Sequence, residues 1–372
     1  QPNKRSQYFD YWRKQGLEEE EIADQWLVDR KESFVQECLD AGKAVRILLE
    51  KDIKPSDIMT RDAFENALTV VMALGGSTNA VIHLTAIAGR LGLSIPLQRI
   101  NQLSDTTPVL VNLKPVGSGY MEDFFYAGGM GAVLRELKHL LHLDTISVTG
   151  EKLGDRLEVG LDYVDRSIIA SADDPFEPQG GLIALFGNIA PRGAILKRSA
   201  ADENLFEKEG RAVVFNSLED LAKRVDDPDL DIQAEDIMVL QNAGPKSSSG
   251  MPEAGYLPIP KKLSSKGIKD IVRISDARMS GTAFGTIILH VTPESSIGGM
   301  LGLIETGDRI KLSVRDKVIE LLVPESEVQR RRSKWVSLNV PPDKRRGYDR
   351  LYAEQVLQAD EGCDFSILKK LK

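Results

Sequence analysis

Cysteine is scarce in this sequence. Among 372 residues only Cys38 and Cys363 carry a thiol, and they form no CxxC arrangement. Two thiols cannot by themselves supply the ligands of an ordinary iron–sulfur cluster. Because Cys38 lies in a helical pattern and Cys363 lies near the end of the chain, we expect both to be core or surface thiols.

Long apolar runs and an excess of basic residues are also missing. No stretch is apolar for long enough to span a bilayer, and no signal-like segment begins the sequence. Lysine and arginine number 48 against 56 acidic residues, which gives a formal net charge of -8, and the basic residues are dispersed. We therefore expect a soluble, cytoplasmic protein that binds neither nucleic acid nor a membrane.

The length allows two domains, and the first is predicted to be α/β. Residues 1–50 have a helical spacing of apolar residues, and Thr60 is predicted to cap a following helix that ends at Gly75 and Gly76. Residues 93–178 continue an α/β pattern that includes a strand at TISVTG. The stretch DDPFEPQGG is rich in turn residues, so we place the end of the first domain at residue 178.

Eight short β-type runs follow Leu182. They read LIALFGN, GAILKRS, RAVVFN, DIMVLQ, IVRIS, TIILHVT, DRIKLSV and KVIELLV. Many short strands at fairly even spacing indicate a barrel or a sandwich. Residues 179–372 are thus predicted to form a mainly β domain with a helical C-terminal tail.

The loop GPKSSSGMPE holds one candidate metal ligand. Its glycines and serines let the backbone pass close to a bound group, and Met-Pro stiffens the approach to Glu253. Magnesium prefers oxygen ligands and commonly takes only one or two from carboxylates, so Glu253 suits that ion. The alternative is a solvated glutamate in a turn.

The second loop, ISDARMSGTAFG, holds a candidate base or nucleophile. Ser280 stands beside Gly281 and Thr282 at the end of a β-type run, where backbone N–H groups can hold an anion. No histidine is close in sequence, but a metal ion or a cationic neighbour would stabilise the serine alkoxide. The alternative is a helix N-cap. We expect His83 to be a satisfied core or interface histidine and His290 to be a packed strand histidine, and neither to be a ligand.

Taken together these loops resemble a known family. GPK(x)3GMPE followed by ISDARMSGTAxG and LHVTPES is similar to the dihydroxy-acid and sugar-acid dehydratases, which include 6-phosphogluconate dehydratase. The resemblance extends to MALGGSTNAVIHL, YMEDFFYAGGMGAVLREL, GNIAPRGAILKRSA and the closing RGYDRLYAEQVLQADEGCDF. SDARMSGTA and the closing segment look like the sugar-acid (aldonate) branch, since the amino-acid-biosynthetic branch more usually reads TDGRFSGG.

The resemblance implies the loss of water from a 2,3-dihydroxy acid to give a 2-keto acid through an enol. The residue matching Ser280 would take the C2 proton, and the residue matching Glu253 would bind Mg²⁺. An iron–sulfur cluster (2Fe-2S or 4Fe-4S) would act as Lewis acid on the departing hydroxyl, with ligands upstream of this chain. Cations of this kind stabilise the charge that develops as the proton leaves.

The family also implies an architecture and further contacts. The second domain would be a barrel of the swivelling kind, with Glu253 and Ser280 at a rim facing an incomplete α/β domain. Ser77, Thr78 and Asn79 of GGSTNA would face the cleft, and Lys246 and Thr282 would also contact substrate, although a solvated loop lysine is the alternative for Lys246. Relatives of this type imply a homodimer or homotetramer.

Two departures qualify the resemblance. The family's N-terminal cluster-binding region has no counterpart here and residue 1 is Gln, so we expect the C-terminal two-thirds of a family member that is inactive alone. Ser247, Ser248 and Ser249 also stand where relatives often carry glycine and proline. The alternatives are a dihydroxy-acid dehydratase of amino-acid biosynthesis and a non-catalytic short form that binds acids or a partner.

Overall fold

The computed structural model describes residues 5–158, 160, 163–281, 283–339 and 341–370. Within these residues the α-helices are α1 (Arg5–Lys14), α2 (Glu19–Glu50), α3 (Pro55–Ile58), α4 (Arg61–Ala73), α5 (Thr78–Arg90), α6 (Leu97–Thr106), α7 (Met121–Tyr126), α8 (Gly129–Glu136), α9 (Leu153–Glu158), α10 (Leu218–Arg224), α11 (Lys261–Ser264), α12 (Glu325–Lys334) and α13 (Gly347–Gln355). Short 3-10 segments lie at Lys138–Leu140, Arg198–Ala200, Glu203–Leu205, Ser295–Ile297, Met300–Leu303, Pro342–Lys344, Ala359–Glu361 and Ser366–Leu368.

The strands form one sheet that nearly closes on itself. They are β1 (Ile183–Leu185), β2 (Gly193–Leu196), β3 (Glu207–Phe215), β4 (Ile237–Leu240), β5 (Arg273–Ser275), β6 (Ile287–Thr292), β7 (Arg309–Ser313) and β8 (Val318–Leu321). Their order is β1-β2-β6-β5-β4-β3-β7-β8, and the three pairings from β3 through β6 are parallel while the others are antiparallel. Phe186, directly after β1, bridges to Val318 of β8, so the sheet is barrel-like.

All eight strands contribute to one buried apolar cluster, which is the core of the barrel. Alternate residues of most strands take part, as period-2 side-chain alternation requires, whereas β6 contributes Ile288 and Val291 on either side of an irregularity at His290, whose φ is +58°. The strand residues in this cluster are Ile183, Leu185, Ala194, Leu196, Ala212, Val214, Ile237, Val239, Ile274, Ile288, Val291, Ile310, Leu312, Ile319 and Leu321. On the other face of the sheet, Ile287 and Leu289 of β6 pack with Met279. Each of the eight predicted β-type runs thus contains a strand, and this prediction is confirmed.

The described residues before β1 differ from the prediction. They form helices and isolated β-bridges but contain no strand, so the α/β pattern predicted for residues 93–178 is wrong for this part of the chain. In TISVTG only Ile146 makes a bridge, to Lys152, and Ser147 and Gly150 close a turn. The β-branched residues there favoured a strand, but none of the strands in the described part of the chain pairs with them.

The chain divides into two compact units. The first consists of Gln1–Asn66, Val111–Leu113 and Gly119–Asp174, and the second of Ala67–Leu110, Lys114–Ser118 and Pro175–Lys372. In the first unit α1 packs on α2 through buried Phe9 and Ile22. Much of the apolar surface of α2 is exposed; the large exposed side chains are Leu27, Val28, Phe34, Val35, Leu39, Val45 and Leu49.

In the second unit the barrel is flanked by helices. The end of α4 and all of α5 and α6 belong to this unit, and Asn101 of α6 exchanges two hydrogen bonds with the backbone of Ala184 in β1. The predicted cap at Thr60 is confirmed, because its hydroxyl accepts a hydrogen bond from Ala63 N at the start of α4. Among the described residues, no helix combines the length and apolar character needed to cross a membrane.

Candidate active site

The loop that carries Glu253 leaves the sheet after β4 and turns tightly over a buried carboxylate. Lys246 N donates to both carboxylate oxygens of Glu294 at 2.9 Å. A Cβ on Gly244 would lie 2.7 Å from Glu294 Cβ, so only glycine fits there. Ser247 Oγ donates to Gly244 O at 2.6 Å and is 3.0 Å from Ser249 Oγ. Ser247 and Ser249 therefore help to form the turn.

Glu294 belongs to a buried acidic network below that loop. Asp276 accepts hydrogen bonds from Ala243 N at 3.0 Å and Ser295 N at 2.8 Å, and both carboxylates are fully buried. Glu294 also accepts from the Gln358 amide at 2.9 Å. Burial raises the pKa of both acids, and the neighbouring charge of Asp276 helps to raise the pKa of Glu294 to about 7.

The Ser280 loop connects β5 to β6, and its described residues form no helix. Met279 is buried and Ser280 is half-buried. Ser280 O accepts a hydrogen bond from Ala283 N at 3.0 Å, which closes a turn, and the next regular element is β6. Because no helix follows Ser280, the alternative role as a helix N-cap is wrong.

One side chain connects the two loops. Asn79 Nδ2 donates to Glu253 Oε1 at 3.0 Å and to Met279 O at 3.1 Å. Arg278 Nη1 donates to the same Glu253 oxygen at 3.2 Å. Asn79 Oδ1 is buried and has no hydrogen-bond partner among the described residues. The carboxylate of Glu253 and the backbone next to Ser280 therefore lie on the same side of the molecule.

Ser77, Thr78 and Asn79 of the GGSTNA turn lie in different surroundings. Ser77 caps α5, with its Oγ accepting from Asn79 N at 3.2 Å, and that Oγ is 3.7 Å from where a Cβ on Gly281 would stand. Thr78 is only 1% exposed, and its hydroxyl has no hydrogen-bond partner among the described residues. Ser77 and Asn79 thus meet the Ser280 loop, whereas Thr78 lies inside the packed core. Thr282 lies outside the described residues.

A cavity of about 350 Å³ is bordered by Asn79 and Arg278, the two residues that donate to Glu253. Its lining includes Asn79, His83, Arg90, Met251, Arg278 and Tyr352. This volume is within the range of small-molecule sites. His83 is exposed on the cavity wall, so it is not a core histidine, and the alternative of an interface histidine stays a prediction. His290 is buried on β6, where burial and the charge of Arg278 lower its pKa to about 3, which confirms it as a neutral packed residue.

The two thiols are placed as predicted. Cys38 is exposed on α2, and Cys363 is a partly buried thiol whose Sγ is 3.3 Å from Met251 Sδ. Burial raises the pKa of Cys363 to about 12, so it is a poor thiolate ligand. Among the described residues no group of three or more histidine, cysteine or acidic side chains is arranged to hold a metal ion.

The sequence did not reveal several residues that shape this site. Arg278, Asp276 and Glu294 occur within the recognised motifs SDARMS and TPES, but their roles depend on partners far away in the chain. Only the unusual density of acids and serines in these apolar β-rich stretches was a signal.

The pH dependence of stability tests the buried carboxylate network. Glu294 has a higher pKa in the folded state (about 7) than its ordinary value of 4.5, so the folded state holds a proton that the unfolded state loses. Its contribution is present below about pH 4.5 and is lost as the pH rises to 7, on the order of 3 kcal/mol. In urea denaturation between pH 5 and 8, Glu294→Gln should flatten this decline. An equal slope in wild type and variant would contradict the assignment.

Comparison with known proteins gives family-model matches in both halves of the chain. Residues 28–156 match the family model described as dihydroxy-acid/6-phosphogluconate dehydratase N-terminal, and residues 167–363 match the corresponding C-terminal model. The chain is 46% identical over 320 residues to an L-arabonate dehydratase of Azospirillum brasilense, covering 84% of this chain and 55% of that protein.

Two further relatives are named for different acids. A 6-deoxy-6-sulfo-D-gluconate dehydratase of Pseudomonas putida is 43% identical over 333 residues, covering 88% of this chain and 57% of that protein. A dihydroxy-acid dehydratase of Caldicellulosiruptor saccharolyticus is 40% identical over 326 residues, covering 87% of this chain and 58% of that protein. The chain thus spans little more than half the length of these curated relatives.

Proposed function

The chain belongs to the dihydroxy-acid/6-phosphogluconate dehydratase family, and from this premise we propose that the whole protein is a hydro-lyase acting on a 2,3-dihydroxy sugar acid. The product would be a 2-keto-3-deoxy acid. Relatives named for sugar acids are 46% and 43% identical, against 40% for the dihydroxy-acid dehydratase, which favours an aldonate such as a pentonate.

The connection through Asn79 is the observation that supports this reaction best. Its amide holds the carboxylate of Glu253 and the backbone beside Ser280 within 3.1 Å of one nitrogen. In the proposed reaction Ser280 takes the proton from C2, the C–H electron pair forms the enol double bond, and the hydroxyl leaves C3. The enol then becomes the 2-keto acid.

Glu253 fits a magnesium site as a single carboxylate ligand. It is 43% exposed at its side chain, and Oε1 already accepts from Asn79 and Arg278. Mg²⁺ often takes only one or two protein carboxylates and leaves other positions to water and substrate. When bound, the ion would polarise the substrate's carboxylate and 2-hydroxyl and so make C2 more acidic.

An iron–sulfur cluster does not fit the described residues. Cys38 is exposed on α2 in the first unit, and Cys363 is an inert thiol beside Met251 in the second. We propose that any cluster of the whole protein has its ligands outside this chain.

We propose substrate contacts for Ser77, Asn79, Lys246 and Thr282, and not for Thr78, whose side chain lies inside the packed core. The buried, unpaired Oδ1 of Asn79 supports this for Asn79, because a substrate hydroxyl would satisfy it. For the whole protein we also propose an α/β domain that includes residues 1–178, a swivelling barrel over residues 179–372, a homodimer or homotetramer, and a cytoplasmic location.

A product assay on an acid panel tests the proposed function. The whole protein, reconstituted with cluster and Mg²⁺, is offered pentonates, hexonates and a branched 2,3-dihydroxy acid, and 2-keto acid is measured as its semicarbazone. We expect at least one sugar acid to have kcat/KM about tenfold above the branched acid. A 3-deoxy aldonate is the matched control, since it has no hydroxyl to lose.

The other outcomes of the acid-panel assay distinguish between the alternative functions. Preference for the branched acid would favour the dihydroxy-acid dehydratase, which the 40% identical relative also supports. Failure with every acid would contradict the proposal. The 372-residue chain assayed alone is expected to form no 2-keto acid, and product formation by it would show that this chain suffices.

A further inference from the structure

Arg278 connects the loop that carries Glu253 to the loop that carries Ser280. Its guanidinium donates from Nε to Met251 O at 3.0 Å and from Nη1 to Glu253 Oε1 at 3.2 Å. Its own carbonyl accepts from Gly255 N at 2.9 Å. One residue, two positions before Ser280 in the sequence, thus contacts the chain on both sides of Glu253 as well as its carboxylate. A planar guanidinium can hold two oxygens at fixed positions, whereas a lysine ammonium on its flexible stem cannot.

The backbone around Arg278 is itself held in place. Ala277 O accepts from His290 N of β6 at 3.1 Å, and Met279 O accepts from Asn79 Nδ2 at 3.1 Å. Together with Arg278 O, three successive carbonyl groups therefore have a donor. Ala277 and Met279 are also buried. The side chain of Arg278 thus starts from a fixed segment, which is what allows a side chain to define the position of its partners.

The chain that Arg278 contacts before the candidate metal ligand needs such support. Met251 has a φ of +55°, in the left-handed region that residues other than glycine rarely adopt unless their surroundings enforce it. The earlier part of the loop is held without Arg278, because Lys246 N donates to Glu294. Met251 N donates back to Gly244 O at 3.0 Å. The carbonyl of Met251 is held instead by Arg278 Nε.

The two oxygens of the Glu253 carboxylate are not equivalent. Asn79 Nδ2 at 3.0 Å and Arg278 Nη1 at 3.2 Å both donate to Oε1. No donor to Oε2 occurs among the residues that the structure describes. Two donors on one oxygen restrict the orientation of the carboxylate and leave the other oxygen available to a ligand.

A contribution to stability does not account for this arrangement. The side chains of Arg278 and Glu253 are 36% and 43% exposed. Ion pairs with this exposure add little to the free energy of unfolding, because water screens them and two long side chains lose freedom. A positive charge beside a cation-binding carboxylate also opposes the cation. If the contact helps a cation to bind, it therefore does so by geometry and not by charge.

We propose that Arg278 is a positioning residue, which holds Glu253 through Oε1 so that Oε2 stays available to a divalent cation beside the Ser280 loop. This rests on the proposed function, in which Glu253 binds Mg²⁺. Residues that donate to a metal-binding carboxylate without touching the metal orient that ligand. Their removal typically lowers metal affinity or activity about 10- to 100-fold.

Mg²⁺ binding to the whole protein, measured by calorimetry with the cluster in place, tests this role. Arg278→Gln is expected to weaken Mg²⁺ binding about 10- to 100-fold. Arg278→Lys keeps the charge but cannot make both hydrogen bonds, so it should weaken binding as well. An effect of charge alone would have the opposite sign in Arg278→Gln, since loss of a neighbouring positive charge favours a cation. Arg309→Gln removes another exposed arginine–glutamate pair, on β7, and is the matched control.

The calorimetry and the kinetics can each overturn the proposal. Unchanged or tighter Mg²⁺ binding by Arg278→Gln, or wild-type binding by Arg278→Lys, would contradict it. In steady-state kinetics, added Mg²⁺ should restore most of the rate of Arg278→Gln, with the KM for the acid within about threefold of the wild-type value. A raised KM that Mg²⁺ does not change would show that Arg278 binds the acid instead.

Hydrogen–deuterium exchange gives a readout that requires neither Mg²⁺ nor dehydration. In Arg278→Gln the amides of residues 251–255 should exchange about tenfold faster. Those of residues 243–246, which Asp276 and Glu294 hold, should exchange as in the wild type. Equal exchange in both proteins, or faster exchange in both segments, would contradict the positioning role. Local loosening with weaker Mg²⁺ binding in a protein that dehydrates no acid would instead contradict the proposed function alone.

Discussion

Ser280→Ala is expected to reduce the rate of sugar-acid dehydration by the whole protein about 10²- to 10⁴-fold. This is the usual contribution of a group that transfers a proton in the transition state. KM should change little, because the hydroxyl is small and the proposed contacts of the substrate lie elsewhere. The measurement is steady-state kinetics on the best aldonate of the panel, with circular dichroism to show that the variant is folded.

A matched control makes this result specific. Ser265 lies at the exposed end of α11, so Ser265→Ala should retain full activity. If Ser280→Ala kept more than a tenth of the wild-type rate, Ser280 would not be the base and the proton acceptor would have to be sought among other residues.

Asp270→Ala is expected to have the largest effect on stability. Arg273 and Asp270 form an ion pair at 2.6 Å, and each side chain is only 4% exposed. Arg273 also donates to Tyr256 O at 2.7 Å and to Phe284 O at 3.3 Å, so it connects the backbone after each functional loop. Removal of one partner from a buried pair leaves an uncompensated charge, which costs about 3 to 5 kcal/mol.

Urea denaturation measures this loss. Glu354→Ala serves as the control, since it breaks the exposed pair with Arg350 and should leave the midpoint unchanged within error. Equal midpoints for Asp270→Ala and Glu354→Ala would show that the buried pair contributes little. Gly285 confirms how tightly the pair is packed: its φ is +119°, and a Cβ there would overlap Arg273 Nη2.

Local patterns predicted the barrel well. Each of its strands lies in a short apolar run, and in every strand except β6 the core residues follow an alternation that is readable in the sequence. The helix start at Thr60 was readable for a similar reason, because a capping hydroxyl acts only two or three residues away. The turn at TISVTG shows the limit of such patterns, since strand-forming residues need a partner strand.

The contacts within the site could not be predicted in this way. Asn79 is 174 residues from Glu253 and 200 from Met279, and single-residue patterns carry no information on such pairings. Lys197, which directly follows β2 and is buried in the structure, looks in the sequence like any charged residue at the end of a strand, where such a side chain is normally exposed. Only its burial, known from the packed chain, distinguishes it from the other lysines.

The bridge between Phe186 and Val318 affects how this protein can associate. An open sheet offers the unpaired backbone groups of its outer strands to other chains, which is a common route to aggregation and to binding by strand addition. Here Phe186 N donates to Lys317 O at 2.9 Å, and Phe186 O accepts from Ile319 N at 2.7 Å. The backbone next to β1 is therefore hydrogen-bonded to β8 and to the residue before it, and these groups are not open to another chain. Recognition of another molecule by this half of the chain is therefore left mainly to side chains.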